Sequence, residues 1–125
     1  MDERRKHPRY AAVELLTTWI GSEATSVVAR DLSAGGICVV TSRAAPTGSR
    51  IRLRLVLDFG QNRRSEPLEV EYRVVWCTPI EDVFQIGAAA VSLDEAARNQ
   101  IATIIHCLIR DVTQEGQELR FRTRR

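Results

Sequence analysis

The sequence predicts a mainly β fold: six antiparallel strands forming a small barrel or sandwich, with one C-terminal α-helix packed against it. Three observations carry that prediction. Apolar and polar residues alternate with period two in short segments between Val13 and Val91, turn residues separate those segments, and the period changes to three and four after Ser92. At 125 residues and 44% hydrophobic, the chain has the size of one domain able to bury a core without disulfides or a structural metal.

Residues 1–9 show no apolar periodicity, and Pro8 biases His7 away from helix, so this segment reads as an extended basic arm. The folded body is expected over 10–116 and a basic tail over 117–125. From Tyr10 the pattern becomes strand-like, with Val13, Leu15, Thr17 and Trp19 on one face, and Gly21-Ser22-Glu23 offers a turn into a partner strand near Thr25–Arg30. Asp31 to Gly36 is a polar, glycine-rich turn before the β-branched run Ile37–Thr41. After a loop at Ala44–Ser49, Arg50, Arg52 and Arg54 alternate with Ile51, Leu53 and Leu55, the signature of a half-exposed strand. Gly60–Ser65 is a polar connection. Leu68, Val70, Tyr72, Val74 and Trp76 then share one face, opposite Glu69, Glu71 and Arg73. A turn over Thr78–Asp82 leads to the last strand, Val83–Val91, where Gly87 and three alanines are compatible with close backbone approach or a bulge. Ser92-Leu-Asp-Glu95 has the form of a capping box, and Ala97, Ile101, Ile104, Ile105, Leu108 and Val112 make one helical stripe.

Cys38, Cys77 and Cys107 are odd in number, widely spaced and set in apolar runs, which predicts core thiols rather than a disulfide framework. His7 and His106 show no metal-ligand spacing with them, and no cofactor is expected. No nucleophile, base and orienting group occur together, which points away from an enzyme. The absence of a signal-like apolar run and of a membrane-length segment predicts a cytoplasmic protein without membrane insertion.

The net charge of +2 conceals an asymmetry. Residues 1–10 carry four Arg or Lys against two acids, and residues 120–125 carry four Arg, leaving ten basic against fourteen acidic side chains in between, a net of −4. An anionic partner is therefore expected at the termini, not across a broad basic face, which speaks against a nucleic-acid-binding barrel. The arginines of the C-terminal tail read as a solvated extension and are assigned no site.

Two segments can carry recognition chemistry. Arg5 and Arg9, four apart on the arm, present planar forks of donors that match phosphate or the O6 and N7 atoms of guanine; a solvated arm is the alternative. Asp31 can accept from guanine N1 and N2, the Ser33 hydroxyl can serve phosphate or ribose, and Gly36 allows close approach or positive φ; a ligand-free Asx or Ser turn is the alternative. Trp76 either belongs to the core with its face or stacks on a base.

Taken together, Arg5-Lys-His-Pro-Arg9 and Asp31-Leu-Ser33-Ala-Gly-Gly36 match the R-x-x-x-R and D/N-x-S-x-x-G motifs at every defining position, and the chain resembles the PilZ domain family over nearly its whole length. Glu3-Arg4 looks like the usual lead-in, and Phe84-Gln-Ile-Gly87 resembles the segment entering the family's final strand. The resemblance implies a six-stranded antiparallel β-barrel that binds cyclic di-GMP without catalysis. Arg5 and Arg9 would clamp phosphates and guanine edges, Asp31 and Ser33 would hydrogen-bond a guanine, and Gly36 would keep the floor open. Arg4 is associated in the family with capture of a stacked ligand dimer, and similar positions to Trp76 stack on guanine in some members. The implied role is a receptor, monomeric or dimerising with ligand, that signals to a downstream protein in motility or biofilm control. A ligand-independent adaptor is the competing role.

Overall fold

The computed structural model describes residues 13–115, with side chains described through Ile109. Its strands are β1 (Glu14–Ile20), β2 (Thr25–Leu32), β3 (Gly36–Thr41), β4 (Arg50–Gly60), β5 (Arg63–Arg64), β6 (Leu68–Ile80) and β7 (Val83–Ala90), followed by helix α1 (Glu95–Glu115). The antiparallel order is β1-β2-β3-β7-β6-β4-β5, and β4 pairs back onto β1 from Glu14↔Asp58 to Ile20↔Arg52. That pairing closes the sheet and leaves its principal strands without an open edge, so a barrel and not a sandwich is formed. β5 is a two-residue extension of a hairpin on β4, so the barrel itself has the six expected strands.

Alternation dictates the interior. Leu53, Leu55, Val39 and Ile86 are fully excluded from solvent, while Arg50 and Arg52 on the opposite face of β4 are exposed. Each such buried aliphatic contributes about 1.5–3 kcal/mol relative to exposure. Outside, β4 and β6 are laced by Arg50–Glu71 at 3.2 Å and Arg54–Glu69 at 3.0 Å, exposed pairs of small energetic weight.

Several boundaries differ from the expected ones. β4 continues to Gly60, and Gln61 and Asn62 take φ of 56° and 64°, the doubly left-handed turn that matches strand twist. β6 likewise runs to Ile80, narrowing the following turn to Glu81–Asp82. β2 extends through Leu32, so Asp31 belongs to a strand and not to the turn.

The helix begins later than the Ser92 capping box predicts. Asp94 Oδ1 accepts from the Ala97 amide at 2.8 Å, three residues on, which makes Asp94 the N-cap. Ile101, Ile104 and Leu108 are buried against the barrel, with Ala97, Ile105 and Cys107 partly covered. Among the described residues no helix is long and apolar enough to cross a membrane.

Candidate functional site

Strict alternation in β2 would send Val27, Ala29 and Asp31 to the same face, and Val27 and Ala29 are buried. Burying the Asp31 carboxylate there would cost several kcal/mol, of order ~3 or more without a partner. A β-bulge prevents it. The register with β3 steps from Ala29↔Val39 to Asp31↔Cys38, leaving Arg30 as the extra residue. Arg30 and Asp31 are both exposed, and Leu32 turns inward with 2% exposure.

A second bulge does the same for Trp76. The β6–β7 register steps from Val74↔Ala88 to Trp76↔Gly87, so Val75 is the extra residue. Val74 is buried, whereas Val75 and Trp76 point outward at 53% and 41% exposure. Of the two alternatives for Trp76, the core position implied by its parity is therefore overturned: the shared face of Leu68, Val70, Tyr72 and Val74 ends one residue before the bulge. The indole lies flat on the strand beside it. A Cβ placed on Gly87 would stand 2.3 Å from Trp76 Cε2 and 2.4 Å from Nε1, so only glycine admits the ring in this position.

The two bulges deliver their side chains to one row. Across β2, β3, β7 and β6 the aligned residues are Asp31, Cys38, Gly87 and Trp76. At about 4.8 Å per strand, Asp31 and Trp76 face each other across roughly 14 Å of sheet, with only small side chains between them. Cys38, expected in the core, lies instead on this outer row, where Gln85 Nε2 donates to its Sγ at 3.3 Å. Its neighbours Ile37 and Val39 take the inward positions.

Ser33 and Gly36 stand beside the β2 end of this row, with Gly36 paired to Ala89 in the neighbouring row. The Ser33 amide donates to the Gly36 carbonyl at 3.0 Å and its hydroxyl reaches the same oxygen at 3.4 Å, closing the turn between β2 and β3. Gly36 is required by approach, not by positive φ: a Cβ there would meet the Ala88 carbonyl at 2.9 Å, whereas one on Gly35 would meet nothing within 4 Å. Asp31, Ser33, Gly36 and Trp76 thus lie on one outer face. Arg4, Arg5 and Arg9 lie outside the described residues.

Sequence reasoning missed the part played by Gly87 beneath Trp76 and the outward placement of Cys38. The signal for the first bulge was present, because the spacing from Ala29 to Leu32 is three and Arg30-Asp31 are consecutive charged residues. Nothing polar marks Val75-Trp76.

The face offers a carboxylate acceptor, a hydroxyl and a flat aromatic surface over a floor of small residues, a set suited to holding a heteroaromatic ring. Among the described residues no group of three His, Cys, Asp or Glu comes together as a metal site. A separate cleft of about 490 Å³ near the other end of β3 is lined by Trp19, Arg43, Arg50 and Glu71 among others, and contains none of the predicted site residues. There Arg43 stacks 4.2 Å over the Trp19 ring, an arrangement that covers the indole.

The PilZ domain family model matches residues 3–107 of the chain. Among solved structures, the Bacillus subtilis inhibitor of motility (MotI/DgrA) aligns with a TM-score of 0.62 at 15% identity, covering 88% of this chain and 54% of that one. The chain thus spans about half the length of that protein. The PilZ domain of YcgR from Escherichia coli, solved with c-di-GMP, aligns with a TM-score of 0.61 at 14% identity over 88% of this chain and 97% of that one. No curated protein matches the chain.

Proposed function

The chain belongs to the PilZ domain family, and from that premise we propose that it is a receptor for cyclic di-GMP that passes the signal to a partner protein. The observation that carries the proposal is the outward delivery of Asp31 and Trp76 onto one row of the barrel, beside the Ser33–Gly36 turn. A guanine stacked on the exposed face of Trp76 lies parallel to the sheet and presents its edge to Asp31, whose carboxylate accepts from N1 and N2. Ser33 serves the adjoining ribose or phosphate. Arg5 and Arg9, from the R-x-x-x-R motif, close over phosphates and guanine edges as bidentate clamps, and Arg4 assists capture of a second, stacked ligand. The YcgR domain, which shares this fold, was solved with the same nucleotide.

Binding and not catalysis is the output. Ligand orders the arm against the barrel, and a partner distinguishes the two arrangements. Isothermal titration of the purified chain with cyclic di-GMP tests the proposal and counts the ligands bound, while light scattering reports whether ligand drives dimerisation. Asp31→Ala and Arg5→Ala are each expected to weaken binding by about 1.5–3 kcal/mol, the value of a charge-assisted contact. Absence of binding below about 100 μM, a range corresponding to roughly −5.5 kcal/mol, refutes it.

A further inference from the structure

We infer that Arg73 is a further residue of this face, one that reads the N7 and O6 atoms of guanine; the inference rests on the cyclic di-GMP reading. Its basis is the neighbouring row of the sheet. Gly36 pairs with Ala89, and Ala89 pairs with Arg73, directly beside the row that ends in Trp76. Arg73 is exposed on the same outer face. Toward β3, its next two neighbours carry a methyl group and a hydrogen, so nothing blocks the side chain from lying along the lane toward the Ser33–Gly36 turn. That lane is about 9.6 Å wide from Arg73 to Gly36, at about 4.8 Å per strand, which an extended arginine largely spans.

The surrounding charges direct it that way. On its other side Arg73 is paired in register with Arg50, a like charge. Arg50 holds Glu71 at 3.2 Å, and Arg52 and Arg54 share Glu69 at 3.9 Å and 3.0 Å. The carboxylates of this part of β6 are thus engaged, and among the described residues Arg73 takes part in none of these ion pairs.

The chemistry of the base completes the assignment. Guanine carries donors N1 and N2 on one edge and acceptors O6 and N7 on another. A ring stacked on Trp76 with its donor edge toward Asp31 presents its acceptor edge in the same plane, where a guanidinium on the barrel, in addition to those of the arm, can meet O6 and N7 with two parallel hydrogen bonds. Asp31 and Arg73 are the complementary pair for one guanine, and both are fixed on the barrel and not on the arm.

The test compares cyclic di-GMP with its 7-deaza analogue, in which C–H replaces N7 in both bases, by titration into the parent chain, Arg73→Ala, Arg73→Lys and the exposed control Arg63→Ala, with thermal melts confirming folding. The parent and R63A are expected to prefer cyclic di-GMP by about tenfold or more, the discrimination of one bidentate contact. R73A binds cyclic di-GMP more weakly and with a smaller preference over the analogue, the remainder coming from Arg5 and Arg9 at guanine edges, and R73K retains part of the affinity through its charge with the same reduced preference. Discrimination in R73A or R73K equal to the parent's, or none in the parent, overturns the role of Arg73. Failure of the parent to bind cyclic di-GMP at all overturns the receptor reading itself, a result visible in the parent titration alone.

Discussion

Replacing Gly87 with alanine tests the geometry of the recognition face without any ligand. The new Cβ would stand 2.3, 2.4 and 2.6 Å from Trp76 Cε2, Nε1 and Cζ2. Non-bonded carbons settle at about 3.5–4.0 Å, so the indole must retreat by about 1.2 Å or more, or leave its rotamer. Because the ring is already 41% exposed, it can swing outward, which places the cost at the low end of the overpacking range, about 1 kcal/mol. For a domain of this size that lowers Tm by about 4 °C. The assay is a double-mutant cycle in chemical denaturation with Trp76→Ala. Without the indole the clash vanishes, and Gly→Ala in a strand then becomes neutral or stabilising by up to about 1 kcal/mol, because the unfolded chain loses freedom. In the parent, quenching of tryptophan fluorescence by iodide should rise on Gly87→Ala, since Trp19 is buried and only Trp76 responds. An equal cost of Gly87→Ala with and without the indole would refute the stacking of Trp76 on β7, and with it the role of the second bulge in building a binding surface.

Two further expectations concern stability alone. Asp94→Ala removes the cap that accepts from the Ala97 amide and should cost about 1 kcal/mol in urea unfolding, while Ser92→Ala, the capping position suggested by sequence, should cost far less. The buried Tyr72 hydroxyl lacks a hydrogen-bond partner among the described residues, and burial raises its pKa from 10.0 to about 12. The folded state therefore keeps a proton that the unfolded state releases, so stability is intact below pH 10 and falls as pH rises from 10 toward 12, by about 2–3 kcal/mol in total. Tyr72→Phe should abolish that alkaline loss at little cost at neutral pH, a contrast read from denaturation midpoints across the range.

Much of the barrel was legible because burial and side-chain period are locked together. Leu53 and Leu55 alternate with arginines in the sequence and are sealed in the structure, and the helix stripe of Ile101, Ile104 and Leu108 faces inward as its spacing requires. Capping was read less well, since Ser92 and Asp94 are both competent acceptors and only the path of the chain off β7 decides which meets an amide. Strand ends moved for a similar reason. β6 continues past Trp76 to Ile80 because β7 remains beside it to accept its hydrogen bonds, a condition no local residue states.

By itself the sequence determined the motif residues Asp31, Ser33 and Gly36, the alternation that builds six strands, and the need for glycine in the turn. It left Trp76 between the core face of its parity and a stacking surface, and its apolar surroundings placed Cys38 in the core. Only the tertiary structure put Trp76 and Asp31 on one outer row, beside the outward Cys38 of the unbroken β3, because a period-two pattern assigns faces only while the register is unbroken. Each bulge adds a single residue, Arg30 or Val75, and so reverses the face of the residues beyond it. Where those insertions fall depends on how the strands must align to close the barrel, a property of all six strands together and not of any one segment.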